Sequence, residues 1–262
     1  FTDSLRRWIE RDYTFEARQK IVTSPAGVSD AAYANLVELG ALALAVPEEA
    51  GGLGGNSEDM MLVMKELGRG LVVEPYFATV LAADFLRRGG HTAVLESVAS
   101  GELKLASALS EKESGHEPFN IATSARKDGD QYVIQGLKCA VIHGAQAGGF
   151  VVSARTGCEQ RDTDGISLFY VPRDTAGVTV TEYRTYDGQR AARHRGRHGD
   201  RVPHLRRPAR RRCALRQRPR AGLGTDRRGR PWLGHPGGLH RLRRGAAVRR
   251  GRGRDGDRQR PD

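Results

Sequence analysis

Gly149-Phe150-Val151-Val152-Ser153-Ala154-Arg155, a polar loop ending at Gly165, and then Ile166-Ser167-Leu168-Phe169-Tyr170-Val171 form the stretch that decides how this chain is read. Both runs are short, rich in β-branched and aromatic residues, and bounded by glycine and polar residues. That is the composition of strands, not of helix. The pattern extends in both directions. Tyr132-Val133-Ile134 follows the turn Asp128-Gly129-Asp130, and Val178-Thr179-Val180-Thr181-Glu182-Tyr183 closes the run. Short strands with Gly/Asp turns every ten to fifteen residues predict a small antiparallel β domain, a β-barrel or a sandwich, over residues 103–192.

Upstream the period changes to that of helix. Leu5, Trp8, Ile9 and Tyr13 share a face opposite Arg6, Arg7 and Glu10, which predicts an amphipathic helix over residues 3–20, broken by Ser24-Pro25-Ala26-Gly27. Ser29 or Asp30 caps a second helix whose Tyr33, Leu36 and Leu39 face one way and which stops at Gly40. Asn56 caps a third, with Asp59 in its first turn and Met60, Val63, Met64 and Leu67 along one stripe, which is read as core packing. A fourth spans 78–88 and a fifth 92–99. Gly51-Gly52-Leu53-Gly54-Gly55 could cradle a phosphate. No Lys-Ser or Lys-Thr follows it and no strand with a dinucleotide fingerprint precedes it, so it reads as an interhelical loop. The fold class is therefore α+β: an N-terminal all-α helical domain over 1–102, then the β domain over 103–192.

Charge sets the remainder apart. The 262 residues carry a formal net charge of +12, which would point to nucleic acid or an anionic surface. Residues 1–192 hold 19 basic and 26 acidic side chains, whereas 193–262 hold 24 Arg, no Lys and 5 Asp. The same segment has 12 Gly and 6 Pro and almost no large apolar residues, so it is expected to be disordered. It reads as an arginine-rich nucleic-acid arm, as a low-complexity linker, or as GC-rich codons translated out of frame; the frameshift fits its composition best. The chain opens at Phe1 without Met, from which a missing amino terminus is expected. There is no apolar run of membrane-spanning length. Cys139, Cys158 and Cys213 are odd in number and scattered, which suits a reducing cytoplasm, and none sits at metal-ligand spacing, so no metal site is expected.

The order of segments resembles the acyl-CoA dehydrogenase family. Glu38-Leu39-Gly40-Ala41-Leu42-Ala43-Leu44, leading into Val46-Pro47-Glu48-Glu49 and the glycine run, is similar to its N-terminal helical domain, as is Lys65-Glu66-Leu67-Gly68 followed by Val73-Glu74-Pro75-Tyr76. Ala108-Leu109-Ser110-Glu111 resembles the flavin-contacting segment that opens its β domain. Gly136-Leu137-Lys138, Ala154-Arg155-Thr156-Gly157, Gly165-Ile166-Ser167-Leu168-Phe169 and Asp187-Gly188-Gln189-Arg190-Ala191-Ala192 follow in order. Any one of these is weak, and the ordered series is specific. The resemblance runs from Phe1 to Ala192. Ala140-Val141-Ile142-His143 stands where common members carry Trp-Ile-Thr-Asn, and Glu111-Lys112-Glu113-Ser114-Gly115-His116 stands in place of Glu-Pro-x-Ala-Gly-Ser. These departures resemble the branch typified by the small subunit of pimeloyl-CoA dehydrogenase.

The resemblance implies an FAD-dependent oxidoreductase that converts an acyl-CoA to a trans-2-enoyl-CoA, acting as a homo- or hetero-oligomer. It implies flavin contact at Leu109 and Ser110. It places the family's hydroxyl contacts to flavin N5 and to the pyrophosphate at Ile142 and His116, where this chain carries no hydroxyl. His143 falls beside the isoalloxazine position, and it reads equally as a turn or core histidine. The family's catalytic base comes from a C-terminal helical domain that this sequence does not match, so no catalytic residue is assigned, and Glu111 is read as fixing its own loop. Two other readings stay open: a noncatalytic subunit of a heteromeric enzyme, and a nucleic-acid binder through 193–262.

Overall fold

The computed structural model describes residues 1–115, 117–185 and 190–202. Its helical part comprises α1 (Thr2–Asp12), α2 (Phe15–Thr23), α3 (Asp30–Glu38), a short α4 (Ala41–Leu44), a 3-10 turn (Glu48–Ala50), α5 (Ser57–Arg69), α6 (Tyr76–Arg88) and α7 (Leu95–Ala99). The single helix expected over 3–20 is two helices. Tyr13 leaves helical geometry and Thr14 caps α2, its hydroxyl accepting from Ala17 N–H at 3.3 Å. The periodicity continued through the break because Tyr13 stays buried after leaving the helix, its hydroxyl accepting from Val73 N–H at 3.1 Å.

Side chains fix the other starts. Ser29 caps α3 by accepting from Ala32 N–H at 3.1 Å. At α5, Asn56 Oδ1 accepts from the N–H groups of Glu58 and Asp59 while Asp59 Oδ2 accepts from Asn56 N–H, a reciprocal capping box. α1 lies on α5 through Leu5, Trp8, Val63 and Leu67, and Arg6 grips the buried Glu66 with two bonds of 2.7 and 3.0 Å. The expected core stripe on α5 divides: Val63 and Leu67 are buried, but Met64 is 39 % exposed. The glycine run is an interhelical loop. Gly54 N–H donates to Val46 O at 2.9 Å and Gly55 N–H to Leu44 O at 2.8 Å, and a Cβ on Gly52 would strike the Val46 carbonyl.

Seven strands follow: β1 (Leu105–Ala108), β2 (Ser124–Asp128), β3 (Gln131–Ile142), β4 (Gly149–Arg155), β5 (Ile166–Pro172), β6 (Thr179–Arg184) and β7 (Arg190–Val202). The sheet order is β1-β4-β2-β3-β7-β6, with β5 on β4. The sheet is mixed, which corrects the antiparallel reading. β1 runs parallel to β4 from Leu105↔Gly149 to Ala108↔Val152, and β2 meets β4 in parallel at Ser124↔Arg155, whereas the remaining pairs are antiparallel. Strand composition is the same for both ladder types, and only the long crossover of residues 109–123, which returns the chain to β4 from the same end, sets the parallel pairs. β7 runs to Val202, ten residues into the segment expected to be disordered; residues 203–262 lie outside those described. Cys139 is free and Cys158 is disulfide-bonded, against the expectation of unpaired thiols.

An apolar seam joins the two layers: Leu86, Leu95 and Val98 from the helices, with Val46 from the loop after α4, pack with Leu105, Val151 and Tyr170 from the sheet. A polar clasp reinforces it. Arg190 donates to Ser24 O (3.1 Å) and Pro25 O (2.6 Å), and Arg184 donates to Val22 O (3.0 Å). Asn56→Ala removes the side-chain half of the capping box, leaving the Asn56 backbone N–H to Asp59, and is expected to lower stability by about 1 kcal/mol in urea unfolding, with unchanged circular dichroism.

Candidate functional site

β1 ends at Ala108, and Leu109 and Ser110 leave the sheet with Ser110 exposed. They are held against β3, where Cys139 N–H donates to Ser110 O at 2.9 Å. Beneath them lies an ion pair with almost no access to water. Lys138 is 1 % exposed and Glu111 5 %, and Lys138 Nζ is 2.6 Å from Glu111 Oε1. Nζ also donates to Ser153 Oγ (3.0 Å) and Leu109 O (3.3 Å), so all three ammonium protons have acceptors. Glu111 accepts in addition from Ala122 N–H (2.7 Å) and Thr123 N–H (3.0 Å). Burial alone would raise the carboxyl, but Lys138 and the backbone donors hold it below the usual carboxylate range; burial pushes the Lys138 ammonium down. Glu111 is thus committed to its own loop, as expected, and is spoken for as an acceptor.

Further along the same strand the ladder is irregular. A register shift falls between Lys138 and Val141, with Ala140 at φ +50°, and His143 just past the strand end has φ +54°. Side-chain-bearing residues rarely adopt this left-handed region, and its appearance twice within four residues marks a constrained segment. Ile142 is 40 % exposed. His143 is buried, its N–H donating to Arg190 O at 2.7 Å, and its carbonyl accepts from Gln146 and Ala147 N–H. The histidine therefore closes a turn while its ring borders a cavity of about 340 Å³. Ile142 and His143 line one side of that cavity, and Leu71, Glu74, Tyr76 and Phe77 line the other.

Of the residues singled out from sequence, Leu109 and Ser110 lie beside Cys139, and Ile142 and His143 end the same strand, about 10 Å further on. His116, Asp187, Gly188 and Gln189 lie outside the described residues. Three residues were missed. Lys138 read only as part of a motif. Glu74, also noted only within a motif, is buried at the cavity wall, with Oε1 accepting from Ser29 N–H at 3.1 Å, and burial raises its carboxyl. His194 is the third: it pairs with Lys138 across β3 and β7, is buried 4.6 Å from the Phe150 ring, and is pushed down to about 4 by burial and by the Lys138 charge. Among the described residues, no cluster of His, Cys, Asp and Glu could hold a metal, and no helix is long and apolar enough to cross a membrane.

A helical layer is seamed to a mixed sheet, and a constrained strand end meets a cavity lined also by residues of the helical layer. Residues 1–102 match the acyl-CoA dehydrogenase N-terminal domain and residues 106–202 the acyl-CoA dehydrogenase middle domain. The chain belongs to the acyl-CoA dehydrogenase family. It is 34 % identical over 140 residues to (2S)-methylsuccinyl-CoA dehydrogenase of Cereibacter sphaeroides, covering 51 % of this chain and 26 % of that protein. Among solved structures, the ChsE4-ChsE5 complex from Mycobacterium tuberculosis superposes with a TM-score of 0.68 at 23 % identity, over 78 % of this chain and 55 % of that one. A glutaryl-CoA dehydrogenase from Mycobacterium smegmatis in complex with FADH2 superposes at 0.65 and 21 % identity, over 79 % and 54 %. At these identities the structures establish the fold. The chain spans 26 to 40 % of the length of the curated relatives it matches.

The two perturbed buried groups titrate in opposite senses. His194 is favoured neutral in the fold, so its contribution is whole above the ordinary histidine range and is lost as pH falls from about 6.5 through about 4. Urea stability should decline over that window, and His194→Gln should flatten the decline. Glu74 is favoured protonated, so its contribution is whole at acid pH and is lost as pH rises through its raised value. Glu74→Gln should therefore gain stability relative to wild type on going from pH 4 to pH 7, measured by the same unfolding series.

Proposed function

We propose that this chain supplies the flavin-facing helical and β portions of an FAD-dependent oxidoreductase that removes the α and β hydrogens of an acyl-CoA thioester to give a trans-2-enoyl-CoA. The observation that carries the reading is a juxtaposition: the exposed Ser110 is bonded to Cys139 on β3, and the constrained Ala140-to-His143 segment leads from there to a cavity that Ile142 and His143 line.

The residues present fit a flavin. An isoalloxazine needs an apolar surface for its ring and donors for its polar edge; Ile142 offers the first at 40 % exposure and the exposed Ser110 hydroxyl the second. When bound, FAD supplies the hydride-accepting chemistry. The chain's own contribution is to orient the ring against the cavity and to exclude water along its apolar lining, where electrostatic contacts gain strength. Glu111 cannot serve as the base that takes the α-proton, because both its oxygens are engaged; no catalytic residue is proposed here. Large apolar side chains around the cavity stay exposed, among them Met64 (39 %), Leu71 (60 %) and Phe77 (46 %). That exposure supports a further helical domain or a second subunit covering this face, in a homo- or hetero-oligomer. The name of the ChsE4-ChsE5 complex, two different chains, favours as a second reading that this chain is the noncatalytic member of such a pair.

Titrating the purified chain into FAD should give saturable quenching of flavin fluorescence, and Ser110→Ala should weaken binding about fivefold to tenfold, the worth of one hydrogen bond. A chain that leaves flavin fluorescence and absorbance unchanged at every concentration sinks the proposal.

A further inference from the structure

The crossover of residues 109–123 has to leave the sheet at the end of β1 and rejoin it at β2 while presenting Ser110 outward. One ion pair holds both of its ends. At the departing end, Lys138 Nζ takes Leu109 O at 3.3 Å, and Ser153 Oγ takes the same carbonyl at 3.4 Å. At the returning end, the two oxygens of Glu111 take the N–H groups of Ala122 and Thr123. The 2.6 Å contact between Lys138 and Glu111 ties these two anchorages together, and Glu111 N–H and carbonyl are closed by Ser114 Oγ at 3.0 and 2.9 Å. A simpler device would have fixed the loop with apolar side chains. A buried charge pair fixes it in direction as well, because its hydrogen bonds are satisfied in one geometry only.

We infer that the Lys138–Glu111 pair is the positioning element of the flavin site: it sets where Leu109 and Ser110 stand, without touching the flavin itself. The inference rests on the flavin reading above. It adds that flavin affinity is governed from beneath the loop by a lysine one strand away. Neither residue is a catalytic residue.

The test uses the full chain with FAD as the probe. Changing one partner alone strands a buried charge, so the variant is the double change Glu111→Gln/Lys138→Met, which removes both charges and leaves Gln an oxygen for a backbone N–H. The expected result is a folded protein with wild-type circular dichroism and a flavin dissociation constant raised at least tenfold. Its bound flavin should show altered visible circular dichroism, and amides 109–115 should exchange faster while those of β4 and β5 do not change. Ser153→Ala removes one anchor and keeps the pair; it should raise the constant about threefold, and it decides the matter should the double variant not fold. Wild-type affinity and flavin spectrum in the folded double variant, or in Ser153→Ala if that stands alone, overturn the inference and leave the flavin reading intact. Absence of FAD binding by the wild-type chain overturns the flavin reading and this inference with it.

Discussion

A lysine and a glutamate that both lie almost out of reach of water impose the strictest constraint in this structure. Each ion alone would cost several kcal/mol to bury, and their mutual attraction offsets that only when the remaining protons and lone pairs are also satisfied. Lys138 and Glu111 meet that condition with four further partners: Ser153 Oγ, the Leu109 carbonyl, and the N–H groups of Ala122 and Thr123. Those partners come from β4, from the crossover and from the approach to β2. The pair can form only when β1, β3 and β4 have assembled, so it reports correct sheet assembly at the place where the candidate site begins.

The helical layer depends on the sheet through a different mixture of forces. The seam of Leu86, Leu95, Leu105 and Val151 supplies non-directional burial. The clasp of Arg184 and Arg190 on the carbonyls of Val22, Ser24 and Pro25 supplies direction. Arg190 has a second link, since its carbonyl accepts from His143 N–H. One residue thus connects the loop after α2 to the strand end that borders the cavity. The cavity's two walls come from separate layers, and this connection fixes the spacing between them.

Local chemistry was legible in the sequence wherever one residue type has one job. Asn56 caps α5 as read, with Asp59 in its first turn, and of the two candidates Ser29 and Asp30 it is Ser29 that caps α3, because a short polar side chain before an apolar stripe has few other uses. Long-range facts were not legible. Strand composition cannot distinguish a parallel from an antiparallel neighbour, so the β1–β4 pairing was invisible. The break at Tyr13 was hidden because the tyrosine stays buried after leaving the helix. The Met stripe on α5 was read as core, yet Met64 borders a cavity; periodicity gives the face, not what covers it. At the candidate site, Leu109, Ser110, Ile142 and His143 are proposed only through resemblance, whereas Lys138 and Glu74 required geometry. A lysine in a strand gives no signal in one dimension that its ammonium is buried.

The arginine-rich segment shows how composition and pairing compete. It carries few large apolar residues, yet its first ten residues continue the strand Arg190–Val202. The reason lies in the neighbours. β3 and β6 each present a row of backbone donors and acceptors toward the gap between them, and a strand of any sequence can answer both. What remains for the side chains is to alternate, and they do so: Arg193 and Arg195 point outward while Ala192 and His194 point in. A histidine accepted in that inward position, driven neutral by burial and by Lys138, is the consequence of a sequence following a ladder set by its partners. The charges of Arg193 and Arg195 therefore lie on an exposed strand face, separate from the buried pair of Lys138 and Glu111.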